Sequence, residues 1–283
     1  MIYISTACVR SNRIKDSVSQ LAEHGFKNIE LSGGTDYYDK FEYDLLELQD
    51  KYSLNYRCHN YFPPPESHFV LNLASLNKAT FRKSLEHLRK AIQLSKKFSS
   101  NKFAFHAGFF IDISINEIGR PISKTSLFDR VKSIDQFCSA FKHLQEEAEG
   151  MQLYLENNVL SKKNLDTYNG INPLMMTSFD DYQELRQKIN FQLLLDVAHL
   201  KVSSNSLNLN WASEFEKMLN VSDYIHISDN DGLSDLNDKI DRTSELCKML
   251  SNSDLSGKDF TIEVYSGLDS VRESYETLRS AIL

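Results

Sequence analysis

The chain has 283 residues, 41% hydrophobic and 25% charged, with a formal net charge of −7. These values suit a soluble globular protein with one large domain rather than two, able to build its core without a disulfide framework or structural metal. The acidic balance, with no basic stripe, argues against a nucleic-acid partner and for a small-molecule substrate.

Cys8, Cys58, Cys138 and Cys247 are scattered with no CxxC spacing, which fits reduced thiols in a cytoplasmic protein. Residues 1–6 carry no basic region leading into a long apolar stretch. No segment approaches the roughly 18 consecutive apolar residues of a membrane span. Self-association as a homo-oligomer is left open.

In chain order, a β-rich run at 2–5 precedes helical periodicity over 13–24. Strands at 28–31 and 55–59 enclose a helix at 42–52. Pro63-Pro64-Pro65 stiffens the following loop, and the clearest helix spans 77–97, where Phe81, Leu85, Leu88, Ile92 and Leu94 form an apolar stripe. A strand at 103–106, a long loop at 108–124 and a helix at 126–149 come next. Then follow a strand at 153–157, a helix at 179–188 and a strand at 192–196. Ser203-Ser204-Asn205-Ser206 reads as a surface loop, before a helix at 210–219 and a strand at 224–228. A helix at 236–251, a strand at 261–264 and a helix at 268–281 complete the pattern.

Eight strands alternating with eight helices predict a single α/β domain over 1–283, a (β/α)₈ TIM barrel. An open doubly wound sheet is the alternative. The placement of polar residues favours the barrel. In the later strands one phase is apolar: Phe103/Phe105, Leu153/Leu155, Leu193/Leu195, Ile225/Ile227 and Phe260/Ile262/Val264. The other phase brings His106, Glu156, Asp196, His226 and Glu263 to the C-terminal strand ends, where barrel enzymes keep their active sites. Buried ionisable groups are costly unless paired or bound to a metal.

Read together, the strand-end motifs are Cys58-His59-Asn60, Phe105-His106-Ala107-Gly108, Leu155-Glu156-Asn157-Asn158, Asp196-Val197-Ala198-His199, His226-Ile227-Ser228-Asp229 and Ile262-Glu263-Val264. In their order and spacing the chain resembles the xylose isomerase-like barrel superfamily, which holds sugar isomerases and epimerases together with endonuclease IV. The resemblance implies that Glu156, Asp196, His226 and Glu263 bind one divalent cation: Mn²⁺, Zn²⁺, Mg²⁺ or Co²⁺. Three carboxylates beside one imidazole would repel one another without a cation between them. The resemblance further implies that Glu156 and Glu263 double as catalytic acid/base groups.

His199 follows Asp196 by three positions, so the chain must turn at Val197-Ala198 for both to reach a pocket. In related epimerases the matching histidine contacts substrate. His59 and His106 match either substrate-contacting histidines or ligands of a second metal. Glu30 and Asn158 complete the expected substrate contacts. Two departures stand out. Ser234-Asp235-Leu236-Asn237 lacks the histidine of a third-metal motif, and Gly232 stands where some ketose epimerases carry an arginine.

The function expected from the resemblance is a metal-dependent isomerase or epimerase acting on a carbohydrate. Hydrolase or lyase chemistry at the same site, including phosphoester cleavage, is the alternative, and a non-catalytic sugar-binding barrel the second.

Overall fold

Apolar side chains on the outward phase of each strand determine how the sheet closes and what covers it. In the computed structural model, which describes residues 1–282, parallel strands pair in sequence order around a closed ring. They are β1 (Ile2–Ser5), β2 (Asn28–Leu31), β3 (Asn55–His59), β4 (Lys102–His106), β5 (Gln152–Glu156), β6 (Gln192–Asp196), β7 (Ser222–Ile227) and β8 (Asp259–Ile262). β8 closes on β1, with Ile2 opposite Phe260 and Ile4 opposite Ile262. The fold is therefore a (β/α)₈ barrel, and the open sheet is excluded.

The helices are α1 (Ile14–Glu23), α2 (Phe41–Tyr52), α3 (Lys78–Lys97), α4 (Arg130–Ala148), α5 (Lys162–Thr167), α6 (Phe179–Arg186), α7 (Val197–Ser206), α8 (Trp211–Asn220), α9 (Glu245–Ser251) and α10 (Leu268–Ile282). Outward-facing Phe103, Phe105, Leu153, Leu155, Leu193, Leu195, Ile225 and Ile227 join one continuous core with helix residues such as Leu21, Leu88, Ile92, Phe137 and Phe141. Each such side chain stabilises the fold by about 1.5–3 kcal/mol when fully buried. Among the described residues, no helix is long and apolar enough to cross a membrane.

Four expectations need correction. β8 lies two residues earlier than 261–264, because its pairing with β7 starts at Asp259 opposite Tyr224; Glu263 consequently sits just beyond the strand, at the mouth. The Ser203–Ser206 stretch is not a surface loop but the end of α7, with Ser203, Ser204 and Ser206 buried. The Ser203 hydroxyl is satisfied there: Oγ donates to the Asn158 carbonyl and accepts from Leu160 N. α5 was unexpected, and its first turn is capped by Ser161. Residues 236–244 are loop rather than helix, since α9 begins only after its Ser244 cap.

The inward phase fills the barrel in layers. At the N-terminal end the Arg57 guanidinium lies between the rings of Tyr3 and Tyr224, 4.0 and 4.7 Å from their centroids. It donates to Asp259, which Lys102 approaches at 3.2 Å. Above this plug Ala104, Tyr154, Leu194 and Tyr224 form a small apolar layer. Ionisable groups occupy the opposite end.

The plug has a pH signature. Burial favours the neutral form of Asp259, but the Arg57 contact outweighs it, aided by Lys102, and holds the carboxyl down at about 2. The stabilisation is complete above about pH 4, the ordinary aspartate range, and is lost as pH falls toward about 2. Acid unfolding of Asp259→Asn should therefore show a shallower loss of stability across that window. Arg57→Ala leaves Asp259 with only Lys102 and the N-terminal amine as partners and should cost about 1.5–3 kcal/mol in chemical denaturation. A loss within error of zero would exclude the plug as a stabilising element.

Candidate metal centre

The C-terminal ends of β3 to β8 each deliver an ionisable group to the barrel mouth. His59 ends β3, His106 β4, Glu156 β5 and Asp196 β6, while His226 is the penultimate residue of β7. Strand pairing sets His106 beside Glu156 and Asp196 beside His226. Glu263 follows β8, its backbone N–H donating to the Ile227 carbonyl at 3.1 Å. The Cys8 thiol braces the same segment, donating to the Ile262 carbonyl and accepting from Val264 N, each at 3.3 Å.

Asp196, His226 and Glu263 each offer a ligand atom within 4.8 Å of the others, as do Glu156, Asp196 and His199. His226 Nδ1 lies 3.6 Å from both Glu156 Oε1 and Glu263 Oε2. A second trio, His59, His106 and Glu156, meets the same distance condition. Here Glu156 Oε2 is 3.1 Å from His59 Nε2 and 3.2 Å from His106 Nδ1.

The electrostatics are those of crowded, desolvated charge. Burial and the neighbouring carboxylates of Glu156 and Asp235 push Asp196 up to about 7 despite the His199 imidazole. Burial also disfavours ionised Glu156, but His106, His59 and His226 outweigh it and hold the carboxyl far below its ordinary range. Glu263 is held at about 2 in the same way, chiefly by His226. His106 goes the other way: burial exceeds the pull of Glu156 and lowers it to about 4. Glu156 Oε2, His106 Nδ1 and His226 Nδ1 are buried without a hydrogen-bond partner. An aspartate driven toward neutrality and several unpartnered ligand atoms fit a divalent cation, whose charge would relieve both. Oxygen donors with imidazole nitrogen suit Mn²⁺, Zn²⁺, Mg²⁺ or Co²⁺ without selecting among them.

The turn after Asp196 is a helix start. Asp196 Oδ1 accepts from His199 N at 2.7 Å and caps α7, and the first turn swings the His199 ring inward. Asn157 reinforces the junction, accepting from Asp196 N at 2.8 Å and donating to its carbonyl at 2.9 Å. His199 Nδ1 meets the Asn157 carbonyl at 2.9 Å.

Two expected substrate contacts are placed elsewhere. Asn158 is buried, and its amide donates to the carbonyls of Ala107, Gly108 and Met175 at 2.8–3.3 Å; that amide is committed to the loops, which corrects the expected sugar contact. Glu30 is fully buried beneath the His226 ring, 2.9 Å from its Nε2, rather than lining the pocket.

One participant was missed. Asp235 Oδ2 stands 3.3 Å from His199 Nε2, carried by a loop closed at its base where Asp229 and Asp238 exchange backbone hydrogen bonds of 2.9 and 2.8 Å. Its signal was the same Ser234-Asp235-Leu236-Asn237 stretch read above only for the histidine it lacks.

Comparison with known proteins places this geometry. The family pattern described as xylose isomerase-like TIM barrel matches residues 18–281. An uncharacterized protein of Methanocaldococcus jannaschii, MJ1311, is 23% identical over 245 residues, 84% of this chain and 73% of its own. A D-tagatose 3-epimerase-like protein superposes with a TM-score of 0.74 at 22% identity, covering 99% of this chain and 96% of its own. The 3-keto-D-glucoside 4-epimerase YcjR of E. coli gives 0.65 at 12%, covering 99% and 98%. TTHB071 of Thermus thermophilus, from crystals soaked with ZnCl2, gives 0.66 at 14%, covering 99% and 97%.

Asn158 provides the test of this layout. Asn158→Ala leaves the Ala107 and Met175 carbonyls without their donor, the Gly108 carbonyl keeping that of Met175 N, and should destabilise the fold by about 1–3 kcal/mol. Amide exchange should quicken around Gly108 and Met175. Unchanged stability with weakened ligand binding would restore the substrate-contact reading.

Proposed function

Since the chain belongs to the xylose isomerase-like TIM barrel family, we propose that it is a divalent-metal-dependent isomerase or epimerase acting on a sugar or sugar derivative. The observation that carries the reading is the buried trio of Asp196, His226 and Glu263, whose ligand atoms lie within 4.8 Å of one another, with Glu156 Oε1 3.6 Å from the same His226 Nδ1. Support for sugar chemistry comes from similar folds whose names specify it, including the 3-keto-D-glucoside 4-epimerase, the D-tagatose 3-epimerase-like protein and an L-ribulose 3-epimerase.

These four residues would hold the cation, and His59, His106 and His199 would meet substrate hydroxyls. A bound divalent ion polarises a carbonyl and acidifies the neighbouring C–H. Glu156 and Glu263 remain ionised at neutral pH because imidazoles hold their carboxyls low, so each is available as a base. They arise from strands three places apart in the ring and approach the ligand from different sides. One takes the proton from the carbon beside the carbonyl. The other, after drawing a proton from solvent, delivers it to the opposite face, which inverts that carbon. Each general acid–base step is worth roughly 10²–10⁴-fold in rate.

The trio of His59, His106 and Glu156 specifically favours a second reading, in which two cations act together in phosphoester hydrolysis. Incision of abasic duplex DNA at physiological salt, abolished by Glu156→Gln, would establish it in place of the first.

Two outcomes test the main proposal. Purified protein should take up about one Mn²⁺ or Zn²⁺ per chain, and the Asp196→Ala/His226→Ala double variant should take up none while keeping its circular dichroism. Stoichiometric metal on that variant would defeat the assignment. Second, turnover of a ketohexose or related sugar in deuterated water should place solvent deuterium at the inverted carbon. Glu156→Gln or Glu263→Gln should stop turnover with substrate binding largely spared. Complete retention of the original hydrogen would point to hydride transfer instead.

A further inference from the structure

One carboxylate of the cluster faces away from the pocket. Glu30, on β2, is fully buried, and its two oxygens meet different partners. Oε2 accepts from the Thr261 hydroxyl at 2.9 Å, and that hydroxyl lies 3.4 Å from the Tyr224 phenol oxygen. Oε1 stands 2.9 Å from His226 Nε2, both atoms are buried without an aligned hydrogen bond, and a ligand atom of His59 lies within 4.8 Å of the pair. The opposite ring nitrogen, Nδ1, lies 3.6 Å from Glu156 Oε1 and from Glu263 Oε2.

A neutral imidazole carries one proton, and the nitrogen that keeps it has no lone pair to offer. His226 has carboxylates on both sides, nearer on the Nε2 side at 2.9 Å than on the Nδ1 side at 3.6 Å, so negative charge draws that proton from both directions. A proton on Nδ1 would block the nitrogen that faces the other ligand groups. We propose that Glu30 is a positioning residue that holds the His226 proton on Nε2 and so leaves the Nδ1 lone pair turned toward Glu156 and Glu263.

Thr261 makes the arrangement selective. By occupying Oε2 it fixes the carboxylate plane and leaves Oε1 for the ring. Tyr224, whose ring also packs edge-on against His226 at 5.6 Å between centroids, backs the hydroxyl from below. Carboxylates that orient a metal-ligating histidine in this way change metal affinity by about 10–100-fold. That consequence rests on the metal reading above; the tautomer does not.

Nitrogen NMR of the imidazole side chains, recorded on metal-free protein at alkaline pH where the ring is neutral, reads the proton's position. The wild type should carry it on Nε2. Glu30→Ala should transfer it to Nδ1, where Glu156 and Glu263 accept it, and Glu30→Gln, whose amide oxygen still accepts, should restore it to Nε2. Calorimetric titration with Mn²⁺ alone should show a 10–100-fold weaker affinity for Glu30→Ala and a smaller loss for Glu30→Gln. Should Glu30→Ala fail to fold, Thr261→Val removes the hydroxyl that orients Glu30 and should move the proton in the same direction. A variant that keeps both the Nε2 proton and wild-type affinity overturns the proposal. A wild type that takes up no Mn²⁺ defeats the metal reading alone, because the tautomer comparison still decides the role of Glu30.

Discussion

Charge matching at one end of the barrel is the constraint on which the rest depends. Glu30, Glu156, Asp196 and Glu263 share a desolvated space with His59, His106, His199 and His226. Each carboxylate alone would be prohibitively expensive there. Their mutual arrangement distributes the cost: Glu156 leans on three imidazoles, Glu263 chiefly on His226, and Asp196 is left undercompensated. A cation beside Asp196 would remove the residual imbalance, which is how the proposed function ties binding to geometry.

This concentration of cost is tolerable because stability is generated elsewhere. The outward phase of the strands and the inner faces of the helices form one apolar layer. At the far end of the interior the Arg57–Asp259 plug satisfies the remaining inward charges. Between the two polar ends lie Ala104, Tyr154, Leu194 and Tyr224. The site is thus separated from the plug by an apolar floor, and the two sets of charges titrate against different partners.

Much of this was legible in the sequence because strand periodicity is exact enough to assign sides. Glu156, Asp196 and His226 fall in the phase opposite Leu155, Leu195 and Ile225, and that alone aims them inward. Glu263 was correctly phased although its strand was placed two residues late, because a shift by two preserves the side. Periodicity gives no guidance where the chain leaves the strands. Asn157 and Asn158 are adjacent, yet one bridges β5 to β6 and the other ties loops together. α7 was hidden because its serines suggest a loop, while the cap that starts it, Asp196, had already been assigned to the site. Asp235 reaches His199 through a loop whose path depends on the Asp229–Asp238 closure, a contact without a periodic signature.

That closure also bears on how such a barrel diversifies. The two backbone hydrogen bonds between Asp229 and Asp238 form a neck, and the residues between them constitute an appendage whose first part is tied to α7 through Asn230 and Gly232. Lengthening or replacing the appendage alters what stands over His199 while leaving the course of β7, and with it His226, undisturbed. What faces His199 is thus set by a loop, whereas what surrounds His226 is set by strand pairing, so the two can change separately.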